Sequence, residues 1–206
     1  MATVDEKAGR IEWLSQVCTG LHGRLAQLTD GAPASYIPEL ANVDPDKFAI
    51  VAVTTDGEQQ EFGDHEHLLT IQSISKLLLY GLALETHGRE AVLARVGVAP
   101  TGDPFNAIEF HEDNRRAPNP MVNLGAIAIT DMVDGADVDE RLDAVLTLFE
   151  RFLGRRAAID QAVCASEHAS GNRNRAIAYL LLNQSIIADR VEETLDLYFA
   201  QCSLLI

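Results

Sequence analysis

Three cysteines, Cys18, Cys164 and Cys202, are all that 206 residues contain, widely spaced and odd in number. That argues against a disulfide framework and against a cysteine-rich metal site. Apolar runs such as Leu77 to Leu84 and Ala178 to Leu182 fall far short of the roughly 20 residues that cross a bilayer. Positive charge is short as well: 16 Lys plus Arg against 31 Asp plus Glu leave a formal net charge of −15. A field of that sign disfavours nucleic acid and anionic membrane surfaces as partners. The opening MATVDEKAGRIEW has neither the basic start nor the continuous apolar stretch of a signal peptide, so cytoplasmic residence is the expectation. Asp64-His65-Glu66-His67 lacks the His-x-x-x-His pairing of a helical metal site and reads as a solvated loop. No metal is expected.

What remains is ordinary: 47% hydrophobic and 23% charged residues, the balance of a globular protein long enough for one large domain or two small ones. Residues 9–29 place Ile11, Leu14, Val17, Cys18, Leu21, Leu25 and Leu28 at helical spacing, and Asp30-Gly31-Ala32-Pro33 stops the pattern. KFAIVAVTTDGEQQEFGD reads as a β-hairpin turning at Asp56-Gly57. Beyond Thr70 the helical pattern dominates, over 72–87, 120–133, 138–153 and 173–183, with Gly- and Pro-containing loops between. VEETLDLYFAQCSLLI begins as a helix and ends apolar. No later strands are evident to partner the hairpin, which alone is marginal in water.

Lysine is rarer still than positive charge in general: three residues, Lys7, Lys47 and Lys76, against 13 arginines. Lys76 lies inside the apolar LLTIQSISKLLLYGLALE, residues 68–85. Arg keeps its proton in any protein setting, whereas burial can neutralise Lys. On a helix Ser73 and Lys76 sit at i and i+3, on one face, with Tyr80 on nearly the same stripe. A helix N-terminus favours an alkoxide or an anionic substrate group at Ser73, and a neutral Lys one turn on can accept the serine proton. Taken alone, the pair has a second meaning, a helix cap and a snorkelling lysine.

QSISK is followed in order by PTGDPFN, NPMVNLGAI, SEHASGNRN and LDLYFAQCS, and SYIPELA precedes the hairpin. In this set and order the chain resembles the serine-dependent glutaminases over about residues 10–205, a family whose fold is shared with β-lactamases and penicillin-binding proteins. The resemblance implies an α+β, β-lactamase-like fold, with 48–63 as the N-terminal part of an antiparallel sheet and a mostly helical subdomain. The expected organisation is a single incomplete glutaminase domain over 1–206, with the N-terminal helix, hairpin and Ser-x-x-Lys helix start in 1–79 and the helical subdomain in 80–206. It implies hydrolysis of the L-glutamine side-chain amide to L-glutamate and ammonia through an acyl-enzyme on Ser73, which Lys76 activates. Ser73, Asn123, Glu167, Asn174 and Tyr198 match substrate-binding or active-site positions, and Tyr36 of SYIPELA lies where the family places another tyrosine near the pocket. The residue types suit glutamine: a carboxylate for its α-ammonium, neutral amides for its carboxylate and amide, and a tyrosine hydroxyl as a proton shuttle. The resemblance further implies a homo-oligomer that uses no metal or organic cofactor. Asn106 and Asn119, beside Pro- and Gly-rich stretches, are expected to be turn residues.

The family pattern continues beyond the matched motifs by about half as much again, with the remaining strands, another active-site tyrosine, a Lys-Ser-Gly motif and an oxyanion-hole N–H. The chain is therefore expected to be either a fragment or a degenerate short form. Leu124, where the family favours a small residue, is expected to crowd a pocket wall, and Arg175 replaces a usual apolar residue. A catalytically impaired or inactive homologue, acting as a binding or oligomer-forming module, is the alternative to an active amidohydrolase. A weaker one keeps the serine chemistry for β-lactam or peptide substrates, against which Glu167 and the paired asparagines argue.

Overall fold

Residues 4–108 and 116–206 are described by the computed structural model, with side chains from residue 9 onward. Two compact units divide the chain between Leu68 and Leu69.

In the first unit, Ala49–Val53 (β1) and Gln59–Gly63 (β2) form the expected antiparallel hairpin. Its register pairs Ile50 with Phe62 and Ala52 with Gln60, the half-buried positions of both strands. Alternation thus puts one face inward, as period-2 patterning requires. The helix before it, Val4–Leu25 (α1), ends earlier than the apolar spacing implied. Leu28 is 66% exposed and Trp13 63% exposed, and of the helical stripe only Cys18 is fully buried, so little packing extends the helix to residue 29. His22 stacks on Phe48 at 5.3 Å, and Asp64 accepts from Lys47 Nζ at 2.8 Å and from the Phe48 amide at 3.2 Å.

The second unit holds six helices among the described residues: Ser75–Arg95 (α2), Asn123–Asp131 (α3), Val138–Leu153 (α4), Gln161–Ser170 (α5), Asn172–Asn183 (α6) and Val191–Cys202 (α7). α2 is broken at Gly88 (φ 78), the residue after the helical pattern of 72–87 ends. α3 is shorter than 120–133 because Asn119 and Pro120 form a turn, in which the Asn119 Oδ1 accepts the amides of Met121 and Val122. α5 was not expected. Its residues are small and polar, with only Val163 and Glu167 buried, so no apolar period marks it. Asp160 supplies the start signal instead, its carboxylate accepting the amides of Ala162 and Val163 at 3.0 Å.

All nine residues of α3 are buried, and α2, α6 and α7 pack around it. Its two ends are fixed differently. At the C-terminal end the Asp131 carboxylate, 1% exposed, receives Arg95 Nη1 at 3.0 Å, Arg190 Nε at 3.1 Å, Thr194 Oγ1 at 3.2 Å and the Ala188 amide at 3.1 Å. Fully buried Arg141 donates to the carbonyls of Thr130 and Val133, adding a side-chain donor where the helical ladder ends. A buried carboxylate is tolerable only when satisfied in this way. At its other end α3 presents Asn123. Gly125 allows the chain to close there: a Cβ on it would sit 1.9 Å from the Asn119 carbonyl oxygen.

α4 illustrates the local rules most directly. Asp137 caps it through the Glu140 amide at 2.9 Å, and Val145, Leu148 and Phe149 bury one face. Asp137→Ala is expected to cost about 1 kcal/mol in urea denaturation, without changing the dependence on denaturant.

Candidate active site

Ser73 occupies a short 3₁₀ turn, Gln72–Ile74, leading into α2, and is exposed. The helical reading of residue 73 thus requires a correction: α2 proper begins at Ser75. The turn begins with Gln72 at φ 47, left-handed backbone for a residue with a side chain, at a cost of ~1–3 kcal/mol that its surroundings must offset. Ser73 still lies at the positive end of the α2 dipole.

Lys76 is 3% exposed. Its Nζ donates to the Met121 carbonyl at 3.1 Å and to Asn123 Oδ1 at 2.8 Å, and it lies 5.8 Å from the centre of the Phe105 ring. Burial holds its pKa below the ordinary 10.5, with Cys202 and Glu167 electrostatically opposing. The Cys202 thiol is itself driven far above its usual range by burial. At neutral pH it is uncharged, which leaves Glu167 as the charge that counts. The Lys76 side chain is therefore buried, not snorkelling.

An ammonium only donates, so Asn123 must turn its oxygen to Lys76 and its NH2 toward Asn174, whose Oδ1 it meets at 2.9 Å. Asn123 is the first residue of α3, and both atoms of its side-chain amide bond groups outside that helix. Its side chain thus joins α2 to α6. Glu167, on α5, is 7% exposed, and its Oε2 is buried without a hydrogen-bond partner among the described residues. Burial raises its carboxyl to about 7, with Lys76 pulling the other way. Tyr198, on α7, is 2% exposed, and its hydroxyl bonds the Cys202 thiol.

Lys76, Asn123 and Asn174 thus form one hydrogen-bonded chain, with Glu167 electrically coupled to it and Tyr198 linked through Cys202. Ser73 is not among the partners of Lys76 Nζ. Two of its three donor directions go to Met121 and Asn123. In the neutral amine those two N–H bonds leave the lone pair for an incoming proton. Tyr36 lies in the first unit, between α1 and the Pro38–Asn42 turn, and is 56% exposed; the cluster is built from the second unit alone. Asn119 is the turn residue expected, and the Asn106 carbonyl accepts Arg173 Nε at 2.6 Å. Leu124 is fully buried in the apolar core, so its bulk is absorbed there instead of on a pocket wall. Arg175 pairs with Glu192 at 3.8 Å and lies over Phe199. Sequence reasoning passed over Gln72, Ser75, Phe105 and Cys202, although all four stand inside the motifs QSISK, PTGDPFN and LDLYFAQCS.

A sequence profile of the Glutaminase family matches residues 31–206. The chain belongs to the glutaminase family. The glutaminase of Nostoc sp. (strain PCC 7120) is 51% identical over 193 residues, 94% of this chain and 58% of that relative. Glutaminase 2 of Clostridium perfringens is 40% identical over 177 residues, covering 84% of this chain and 58% of the relative. The chain thus spans little more than half the length of these curated glutaminases. The crystal structure of Mglu in its tris and glutamate form superimposes with a TM-score of 0.88 at 34% identity, over 93% of this chain and 43% of that one. The probable glutaminase ybaS gives 0.88 at 36% identity, over 94% and 63%. The fold is the α+β, β-lactamase-like arrangement of glutaminases. No helix among the described residues is long and apolar enough to cross a membrane.

Proposed function

We propose that the chain hydrolyses the side-chain amide of L-glutamine to L-glutamate and ammonia through a Ser73 acyl-enzyme. One observation carries the reading above all: buried Lys76, its pKa lowered, is held by Asn123, which in turn holds Asn174. Ser73 Oγ attacks the amide carbon while its proton passes to the lone pair of Lys76. The tetrahedral adduct then expels ammonia, protonated by Lys76 or through Tyr198, leaving a γ-glutamyl ester on Ser73. Water cleaves that ester, returning the proton to Ser73 and releasing glutamate. Glu167, ionised above about pH 7, pairs with the α-ammonium, and Asn123 and Asn174 hold the polar groups of the amino acid. Homo-oligomeric assembly belongs to this reading as well, supported by family membership. The glutamate form in which Mglu was crystallised supports an amino-acid ligand for the common fold.

The test is equimolar release of ammonia and glutamate from L-glutamine by the purified chain, with N-acetyl-L-glutamine left intact because it has no ammonium for Glu167. Glutamine binding without release would favour the alternative, an impaired homologue acting as a binding module. Preferential opening of a β-lactam would overturn the choice of substrate.

A further inference from the structure

We propose that Gln72 and Ser75 are positioning residues for Ser73, which together hold the serine turn in a backbone conformation the chain would otherwise avoid. The proposal rests on the glutaminase reading only in taking Ser73 as the nucleophile.

Around the serine, Ile71 (φ −65, ψ −24), Ile74 (φ −63, ψ −30) and Ser75 (φ −53, ψ −33) are all right-handed. Gln72 alone is left-handed, at φ 47, in a region populated mainly by Gly and Asn. Strain on the residue before a nucleophile persists only when its surroundings over-determine it, and here the restraints are explicit.

The segment leading in is bonded to the end of the chain. The Leu69 amide donates to Ile206, the Ile206 amide donates back to Leu69, and the Ile71 amide donates to the Leu204 carbonyl at 2.8 Å. At Gln72 the side chain takes over from the main chain: Nε2 donates to the Cys202 carbonyl at 3.2 Å and to Thr70 Oγ1 at 3.0 Å. The Gln72 carbonyl, half of the peptide plane that begins Ser73, accepts the Ser75 hydroxyl at 2.7 Å and the Ser75 amide. Ser75 is fully buried and its Oγ also lies 3.9 Å from the Cys202 sulfur.

The plane of the 72–73 peptide is therefore fixed from both sides of Gln72, by groups that do no chemistry. Cys202 ends α7, the helix that carries Tyr198 one turn earlier. One helix end thus locates both the serine turn and the tyrosine.

Three variants separate this role from simple stability. Gln72→Glu keeps the volume but loses both donors. Ser75→Ala removes the buried hydroxyl at a helical position that accepts Ala. Gln72→Gly removes the clamp but tolerates the left-handed backbone, so it still decides the matter if Gln72→Glu fails to fold. The readouts are the rate at which a serine-directed phosphonofluoridate labels Ser73, followed by intact mass, and kcat and KM for L-glutamine across pH.

Labelling and kcat are expected to fall ten- to a hundredfold, on the order expected for a nucleophile displaced by about an ångström. KM and the position of the pH profile should stay in place, because Lys76, Asn123 and Glu167 are untouched. Wild-type labelling rates in all three variants overturn the proposal, as does a rise in KM that tracks loss of stability with kcat unchanged. If the wild type labels but does not release ammonia, the glutaminase reading fails while labelling still decides this one. If it turns over glutamine and the variants match it, only this proposal fails. A wild-type Ser73 that never labels and never turns over sinks both.

Discussion

Ser73→Ala and Lys76→Met are each expected to lower glutamine turnover by about a thousandfold or more, and the double variant to be no worse than either single one. The shared effect is the diagnostic part. If Ser73 is the nucleophile and Lys76 its base, removing either ends the same step, so the losses do not add. Lys76→Arg sharpens the comparison. It keeps a cation beside Asn123 and Glu167 but presents a group that does not give up its proton, and turnover should fall as far as with Met. Were the role of Lys76 only to bridge Met121 and Asn123, Arg would recover part of the activity. Full turnover in Lys76→Arg would remove Lys76 from the chemistry and leave it a structural link. Denaturation of each variant supplies the control. Met leaves the Met121 carbonyl and Asn123 Oδ1 without their donor, a deficit of about 1–3 kcal/mol per buried group.

How much of this was legible in the sequence depends on whether the cause was local. The hairpin announced itself through the turn at Asp56-Gly57, and α4 through its helical pattern over 138–153. α5 did not, because few of its residues bury an apolar side chain, and its start signal at Asp160 was overlooked. The burial of Lys76 was a question the sequence raised, and the acceptors that answer it, Met121 and Asn123, lie 45 and 47 residues away. No window contains both ends of such a contact. The same holds for Asp131, whose arginines come from α2 and from the start of α7, 36 and 59 residues distant. Gln72 was the least legible feature. Positive φ is ordinarily signalled by Gly or Asn, and here a glutamine is held there by partners at 75 and 202. The family motifs named Asn123 without its partners, Lys76 and Asn174, which lie 47 and 51 residues away.

Glu167→Gln is expected to raise KM for L-glutamine on the order of a hundredfold, the worth of a charge-assisted hydrogen bond of ~3 kcal/mol, and to flatten its pH dependence. In the wild type the carboxyl titrates at about 7, so KM should fall as pH rises from 6 to 8 and the anion becomes available to the substrate ammonium. The amide has no such titration. Stability runs the opposite way. Burial lifts this carboxyl from its ordinary 4.5 to about 7, so the folded chain holds a proton that the unfolded chain releases. Its contribution is complete below pH 4.5 and is lost as pH rises to about 7, a difference of about 3 kcal/mol for that interval. Lys76, with its pKa lowered, has the reverse sign, adding stability as pH climbs from its folded value toward 10.5. Between the ordinary 4.5 and about 7 the carboxyl supplies a falling slope, because desolvation outweighs its attraction to Lys76. Wild-type protein should therefore unfold at lower urea at pH 7.5 than at pH 5, and Glu167→Gln should lose that slope and exceed the wild type at the higher pH. An unchanged slope in the variant would mean that Glu167 is not the titrating group. Loss of the slope together with the rise in KM would identify one carboxylate as the source of both, which is the expected signature of a buried anion kept for a cationic ligand at the expense of the empty fold.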